Sequence, residues 1–364
     1  MNSNHRVNVV RIKELRKHPN ADSLSLVDIE GYQVVVRTDE FRLGAQYIYV
    51  HPDSVVPVTK PFKFLWADRE YPDGVIPDRK RRVTVRKFRG EWSEGLLLPV
   101  VDFPGLYDAD YDWPRLKVRE GDDVAELLGI THYEEPEPGF NLGTQGTKRS
   151  LWQRILKFFG FGYKPFGPKN APGTYDVESL KNYPRVFVAG EPVIVTEKIH
   201  GSNARYTFDG KKFWVGSHSR WCKEQGNIWW EVTKQYPWIE AFCREWPNYT
   251  LRGEVTPTQK GYAYGFETEK QFFVFDLQRP DGAYTDKVTL FKMADIQRFV
   301  PVIYQGPYDA AKVKELAEGK SLVEGAKNMR EGTVISSEYE RQIRGVGRAQ
   351  LKLKSLKFLE GETK

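Results

Sequence analysis

Apolar and polar residues alternate over short runs through the first third of the chain. VNVVRI, LSLVDIEG, YQVVVRT and QYIYVHPD, all within residues 7–53, are rich in β-branched and aromatic residues and are separated by turn signals. Such runs predict strands. His18-Pro19-Asn20-Ala21-Asp22 is one predicted turn and Gly44 marks another. VTVRKFRG and GLLLPV continue the pattern within residues 59–130. Ahead of them lies the loop WADREYPDGVIPDRKRR, whose tip Arg79-Lys80-Arg81-Arg82 is a run of basic residues. That tip is either a solvated turn or a phosphate contact.

The pattern changes between 134 and 173. EEPEPGFNLGTQGT and GFGYKPFGPKNAPGT are rich in Gly and Pro and read as linker. LWQRILKFF, Leu151–Phe159, has apolar residues at helical spacing and predicts a short helix between them. From 174 onward PVIVTEKI, ARYTFDG, KFWVGS, TLRGEV, FFVFDL, GTVISS and QLKLKSLKF read as strands. NIWWEVTKQYPWIEAFCREW, LFKMADIQRFV and the short SLKNY read as helical. The predicted fold class is α+β: a barrel-like domain of short strands over 1–133, a linker with a short helix over 134–173, and an antiparallel-sheet domain over 174–364.

Bulk properties narrow the function. At 364 residues the chain is long enough for two domains. It has no run of about 18 apolar residues, so no transmembrane helix is expected. The charged start MNSNHRVNVVRIKEL lacks the apolar core of a secretory signal. The two cysteines, Cys222 and Cys243, cannot make a four-ligand zinc site, and a cytoplasmic location is the default expectation. A net charge of +6 raises the odds of a polyanionic partner. With 10 Trp, 19 Tyr and 21 Phe there are aromatics to stack on bases, although most belong to the core.

Phosphate-loop, zinc-protease and dinucleotide-binding motifs are missing. The informative stretch is Glu197-Lys198-Ile199-His200-Gly201-Ser202-Asn203, between two predicted strands. A lysine at a strand end beside a glycine can approach a ligand closely. It can attack phosphorus once deprotonated. One such lysine is weak evidence. The segments that follow strengthen it. Glu254 ends the apolar run in LRGEV, Phe275 and Asp276 lie in FFVFDL, and Glu331 opens EGTVI. In LKLKS, the period of a strand puts Lys352 and Lys354 on one face and Leu351 and Leu353 on the core side. Two lysines on one face repel each other unless an anion lies over them, and a triphosphate is such an anion. A solvated edge strand is the competing explanation.

The ordered series EKIHGSN, LRGE, FFVFDL, EGTVI and LKLKS resembles the motif set of the covalent nucleotidyltransferases, which comprise DNA ligases, RNA ligases and capping enzymes. The histidine in KIHG and the following Asn203 resemble nick-sealing RNA ligases. HPNADSLSLVDIEGYQVVV, FRLGAQYIYVHPDSVVP and FRGEWSEGLLLPV resemble the N-terminal OB domain of one RNA ligase branch. The resemblance covers both domains, with 59–80 and 134–173 poorly matched.

This resemblance implies an ATP-dependent RNA ligase in which Lys198 becomes adenylylated. The product would be a sealed 3′-OH/5′-phosphate nick in duplex RNA or an RNA/DNA hybrid, and the enzyme a monomer. It implies Lys198, Lys352, Lys354, Glu254 and Glu331 as catalytic residues, with Mg²⁺ or Mn²⁺ on Glu254 and Glu331. Glu254 is also a candidate for holding the ribose. Glu197, Ile199, Asn203, Arg205, Arg220 and Phe275 would bind the nucleotide, Phe275 by stacking on adenine. His200 is expected to be structural and Gly201 to matter for shape. The basic run Arg341, Arg344, Arg348, Lys352, Lys354 and Lys357 has outer members that could follow a phosphate backbone. A capping-type guanylyltransferase and a non-catalytic RNA-binding relic are the alternatives.

Overall fold

A computed structural model describes residues 6–67, 71, 74–108, 115–133, 166–168, 173, 176–224, 226–257, 263–266 and 269–362. The predicted helix at Leu151–Phe159 lies outside the described residues. The chain divides into two compact units, residues 1–135 with 356–364, and residues 136–355.

The first unit is made of short antiparallel strands. β1 (Val7–Arg11), β4 (Gln46–Val50) and β7 (Leu96–Pro99) form one sheet in the order β1-β4-β7. β2 (Leu24–Ile29) and β3 (Tyr32–Arg37) pair as a hairpin, with Arg16–Lys17 added on the β2 side. β5 (Val85–Phe88) and β6 (Glu91–Glu94) form a second hairpin. The alternation read from sequence is the burial pattern of β3, where Tyr32, Val34 and Val36 are buried while Gln33 and Val35 are less so. Those three join Val10, Val27, Ile29 and Tyr49 in one cluster, and Val7, Val9, Ile48 and Val50 build another with Phe62 and Leu106.

The Arg79–Arg82 tip, expected as a solvated turn or a phosphate contact, keeps Arg79 exposed but turns part of its charge inward. Asp78–Arg81 is a single helical turn. Arg81 donates to the Val56 and Ile76 carbonyls, and Arg82 pairs with Asp53 at 2.6 Å while lying over the Tyr133 ring. Two of the four cations are thus committed to the unit's own backbone and carboxylates.

In the second unit, two five-stranded sheets carry the strands predicted from 174 onward. The first contains β8 (Glu178–Ser179), β9 (Pro192–Glu197), β15 (Val302–Pro307), β16 (Gly332–Ser337) and β17 (Gln350–Lys354), in the order β8-β17-β16-β9-β15. The second contains β10 (Ser202–Phe208), β11 (Phe213–Ser217), β12 (Trp221–Cys222), β13 (Thr250–Thr256) and β14 (Gln271–Gln278), in the order β12-β11-β10-β13-β14. Val193, Val195, Ile335, Leu351 and Leu353 make the core behind the first sheet. Ala204, Tyr206, Val215, Leu251, Val255, Phe272 and Val274 make the core behind the second.

Helices α1 (Ile228–Gln235) and α2 (Trp238–Glu245) cover that second core with Trp229, Val232, Ile239 and Phe242. Asn227 caps α1 by accepting from the Trp230 amide, and Pro237 separates the two helices because its ring has no N–H to continue the first. SLKNY is not helical: Ser179 ends β8 and the residues after it turn. Pairing of β8 with β17 claims the backbone groups that a helix would need. In LFKMADIQRFV only Leu290 is helical, as the end of the single turn Lys287–Leu290. The backbone at Arg298 and Val300 instead pairs with Val274. Helix α3 (Leu356–Glu362) packs on β5 and belongs to the first unit, so the second domain expected over 174–364 stops at 355. Among the described residues no helix is long and apolar enough to cross a membrane.

Inside the second unit Asp276 is fully buried and joins elements far apart in sequence. Its carboxylate meets Lys287 Nζ at 2.7 Å and Arg348 Nη1 and Nη2 at 2.7 and 3.0 Å. Arg348 also pairs with Glu340 at 2.8 Å and lies 3.7 Å over the Tyr284 ring. Burial opposes the Asp276 charge, but Arg348 and then Lys287 outweigh it and hold the carboxyl well below its ordinary range. Removing one partner of a buried pair leaves a charge without compensation. Asp276→Ala is expected to cost about 3–5 kcal/mol in urea unfolding. An unchanged midpoint would refute the hub assignment.

Candidate active site

The nucleophile candidate is placed by a sheet ladder. Glu197 ends β9 opposite Thr333 of β16, and one residue later the Lys198 amide donates to the Gly332 carbonyl at 3.0 Å. Glu331 immediately precedes β16. On the far side of β16, Gly332 pairs with Lys354 and Val334 with Lys352, and the Ser355 amide donates to the Glu331 carbonyl. Three strands therefore deliver Lys198, Glu331 and Lys354 to one end of the sheet. Lys198 Nζ lies 2.7 Å from Glu331 Oε1, and His200 Nδ1 lies 3.4 Å from Glu331 Oε2. Leu351 and Leu353 are buried in the core, while Lys352 and Lys354 are half-buried on the opposite face, as the alternation required.

Glycines let the strands approach this closely. A Cβ on Gly201 would sit 2.3 Å from the Val255 carbonyl oxygen and 3.0 Å from Glu254 Cγ. On Gly332 it would sit 2.2 Å from the Leu353 oxygen. His200 is held through its backbone, its amide donating to the Tyr264 hydroxyl at 2.7 Å and its carbonyl accepting from Thr256 Oγ1 at 3.1 Å. This fits the structural role read for His200, and its ring adds a contact to Glu331.

The second sheet supplies the rest. Asn203 is opposite Glu254 in the β10–β13 register, and Arg205 is opposite Arg252. All four lie on the face away from the Leu251–Val255 core. In β14 the register shifts, so that Arg252 faces Asp276 and the next residue, Gly253, faces Val274. Phe275 is the extra residue of this bulge, which re-aims side chains on the strand. Half-buried, it packs with Ile199, Phe273, Tyr264 and Val300 in a small apolar cluster. Asn203 Oδ1 and Thr333 Oγ1 are buried without a hydrogen-bond partner among the described residues. Such orphaned acceptors are costly unless a ligand satisfies them.

The electrostatics are those of crowded charge. Burial pushes the Glu254 carboxyl up to about 7; Lys198 opposes the rise and Glu331 adds to it. Burial also opposes ionisation of Glu331, but Lys198, His200 and Lys354 win and hold it well below the carboxylate range. Lys352 is pushed down to about 8 by burial and then by Lys354 and Lys198. Arg205, whose Cζ lies 4.3 Å from the Trp221 ring centre, is pushed down to about 10 by burial and the neighbouring Arg252.

Not every candidate joins the cluster. Glu197 is buried and its Oε2 accepts the Leu322 amide at 2.7 Å, which ties the loop after residue 320 to β9. Arg220 is exposed on the tight turn between β11 and β12. The basic run 341–357 is split: Arg344 and Lys357 are exposed, whereas two of its arginines are committed within the unit. Arg341 pairs with Glu191 at 2.6 Å, and Arg348 is buried on Asp276. Buried or half-buried carboxylates have claimed those cations. Sequence reasoning missed Tyr264, Thr256, Lys287 and Glu340, and no spacing in the chain pointed to them.

No group of three His, Cys, Asp or Glu side chains that could hold a metal occurs among the described residues. Glu254 and Glu331 do fit a hard divalent cation that keeps most of its ligands as water and phosphate oxygen. They are oxygen donors whose charges crowd each other at one end of the site.

Residues 191–354 match the family model described as RNA ligase. Residues 6–100 match an OB-fold domain model, so the N-terminal barrel read from the sequence stands. No curated protein matches the chain in sequence. Among solved structures it is similar to a Naegleria gruberi RNA ligase with pyrophosphate, at 21% identity and TM-score 0.72, with 99% of each chain covered. A variant of that ligase with ATP and manganese gives 21% identity and TM-score 0.71 over 98% of each chain. A variant with AMP and manganese gives 20% and 0.71, again over 98% of each. These likenesses place the whole chain in the OB-plus-nucleotidyltransferase fold.

The Glu254 shift fixes a pH dependence. Its folded value of about 7 lies above the ordinary carboxyl value of 4.5, so the folded state prefers the protonated form. The stability this contributes is present below pH 4.5 and is lost as pH rises through 7. In metal-free buffer Glu254→Gln, which cannot ionise, is expected to gain stability relative to the parent between pH 5 and 8. Parallel urea-unfolding curves with no relative gain would remove the assignment.

Proposed function

We propose that this RNA ligase joins a 3′-OH to a 5′-phosphate at nicks in duplex RNA or RNA-containing hybrids, through AMP carried on Lys198. The observation that carries the proposal is the convergence of Lys198, Glu331, Lys352 and Lys354 at the end of one sheet, with Lys198 Nζ 2.7 Å from a buried carboxylate.

The chemistry follows from that convergence. ATP is the AMP donor, as it is bound in the similar Naegleria ligase. Lys198 Nζ loses its proton and forms a bond to the α-phosphorus as the bond to pyrophosphate breaks. The AMP then moves to the 5′-phosphate oxygen of the nick, restoring the lysine. The 3′-OH attacks that phosphorus, giving the phosphodiester and free AMP. Charge neutralisation and positioning do most of the work in such transfers.

Lys352 and Lys354 hold the departing pyrophosphate and the α-phosphate. Before ATP arrives burial, and then repulsion from Lys354 and Lys198, hold the Lys352 ammonium near 8, and a triphosphate over the lysines offsets that repulsion. Glu331 holds Lys198 in line by its 2.7 Å contact. Ile199 and Phe275, in one apolar cluster, form the base site, and the base stacks on Phe275. Asn203 and Arg205 reach the nucleotide from the opposite sheet, Glu254 takes the ribose or the cation, and Glu197 shapes the base site through its loop contact. Arg220 meets the incoming 5′-phosphate from its exposed turn. Mg²⁺ or Mn²⁺ held by Glu254 and Glu331 would supply neutralisation of phosphate charge.

Incubation with α-labelled ATP and either metal is expected to leave label on the protein. Lys198→Ala should abolish both this label and sealing from ATP. Sealing by that variant would remove Lys198 from its role, and label taken from GTP in preference to ATP would favour a capping enzyme.

A further inference from the structure

The β5–β6 hairpin of the first unit presents a cluster of charges. Arg86, Lys87, Phe88 and Arg89 are all exposed, with Phe88 at 42%. Elsewhere in the unit Arg11, Arg37, Arg81 and Arg82 each have a carboxylate partner, while the exposed Arg42, Lys60 and Arg119 have none among the described residues but are not clustered as 86–89 are. Among the described residues Arg86, Lys87 and Arg89 have none. Lys87 rests instead over the Trp92 ring, 5.0 Å from its centre.

The tip of the hairpin is rigid and its geometry is unfavourable for the residue it carries. Arg89 has φ of 47° and Gly90 φ of 100°, a pair that suits Asn-Gly or Gly-Gly. A bulky side chain at positive φ is held only where its surroundings insist. Here they do. The Asn20 amide side chain donates to the Arg89 carbonyl at 2.9 Å. The buried His18 ring accepts the Asn20 amide on Nδ1, so its Nε2 carries the proton and donates to the Phe88 carbonyl at 3.0 Å. The His18–Asn20 turn singled out in the sequence thus serves as a clamp on the tip of this hairpin.

We propose that the hairpin 85–94 is a docking element for the phosphodiester backbone of duplex RNA flanking the nick, with Arg86, Lys87 and Arg89 on phosphates and Phe88 against sugar. It rests on the RNA-sealing reading above. Charge complementarity selects the occupant: unpaired cations on a fixed two-stranded ribbon release counterions from a polyphosphate backbone. A rigid tip loses little conformational freedom on binding.

The test uses the full-length chain with Arg86→Ala, Lys87→Ala and Arg89→Gly combined, and Arg89→Gly alone. Arg89→Gly removes the charge while relieving the backbone, so its unfolding midpoint should equal or exceed the parent's. Binding to a nicked RNA duplex without ATP should weaken, and the slope of log affinity against log salt should fall by about 3 for the triple variant. Lysyl-AMP formation should be unchanged, and in sealing the KM for the nicked duplex should rise with kcat retained. Parental affinity and salt slope in the triple variant would overturn the proposal. So would a loss confined to single-stranded RNA. If the parent forms no lysyl-AMP, the sealing reading fails by itself, while the duplex-binding measurement still decides the hairpin.

Discussion

The site depends on one registered ladder. β9, β16 and β17 pair so that Lys198 follows one strand, Glu331 precedes the next and Lys354 ends the third, all at the same edge. A slip of one residue would turn Lys352 and Lys354 into the core and Leu351 and Leu353 out of it, which the burial of those leucines forbids. The hydrophobic core behind the sheet therefore sets the position of the charges in front of it. Gly201 and Gly332 are the local conditions for this, because the backbones lie closer than a Cβ would allow.

The second constraint is electrostatic and joins the two sheets of the unit. Asp276 lies on β14 beside Phe275, and Arg348 lies just ahead of β17 with its lysines. Their buried pair ties the strand carrying the candidate base-stacking residue to the segment that feeds the candidate phosphate-binding strand. The bulge at Phe275 lets consecutive residues serve these two ends. Phe275 goes to the apolar cluster that contains Ile199, and Asp276 goes to the ion pairs. Without the extra residue, period two would send one of them to the opposite face.

The linear pattern carried much of this. Alternation gave the strands, and the leucine–lysine alternation gave the orientation of β17 before any coordinates. Gly201 was read as a residue of shape, and the distances bear that out. Three things were not legible, each for a physical reason. SLKNY has helical composition, but its neighbours are strand-paired and the ladder wins over local propensity. The basic run 341–357 looks uniform in sequence, yet burial sorts Arg341 and Arg348 inward, and which carboxylate awaits each is a tertiary fact. The bulge at Phe275 leaves no mark in a run of consecutive apolar residues, where periodicity is silent.

The surplus of positive charge gives these features a common logic. Lys198, Lys352 and Lys354 outnumber the ionised carboxylates around them, because Glu331 is charged while burial biases Glu254 toward its neutral form. The second sheet adds Arg205 beside Arg252. A site so biased is strained by its own cations and is relieved by a polyanion, whereas a dianionic carboxylate pair would have needed a metal first. The same bias recurs on the β5–β6 hairpin, with a different solution. There the cations are exposed, so water screens them and the cost of keeping them unpaired is small. In the interior the cost of crowding is larger, because burial removes the screening by water. The two regions thus differ in the anion their charges favour: a compact one over the crowded lysines, and an extended one along the exposed hairpin.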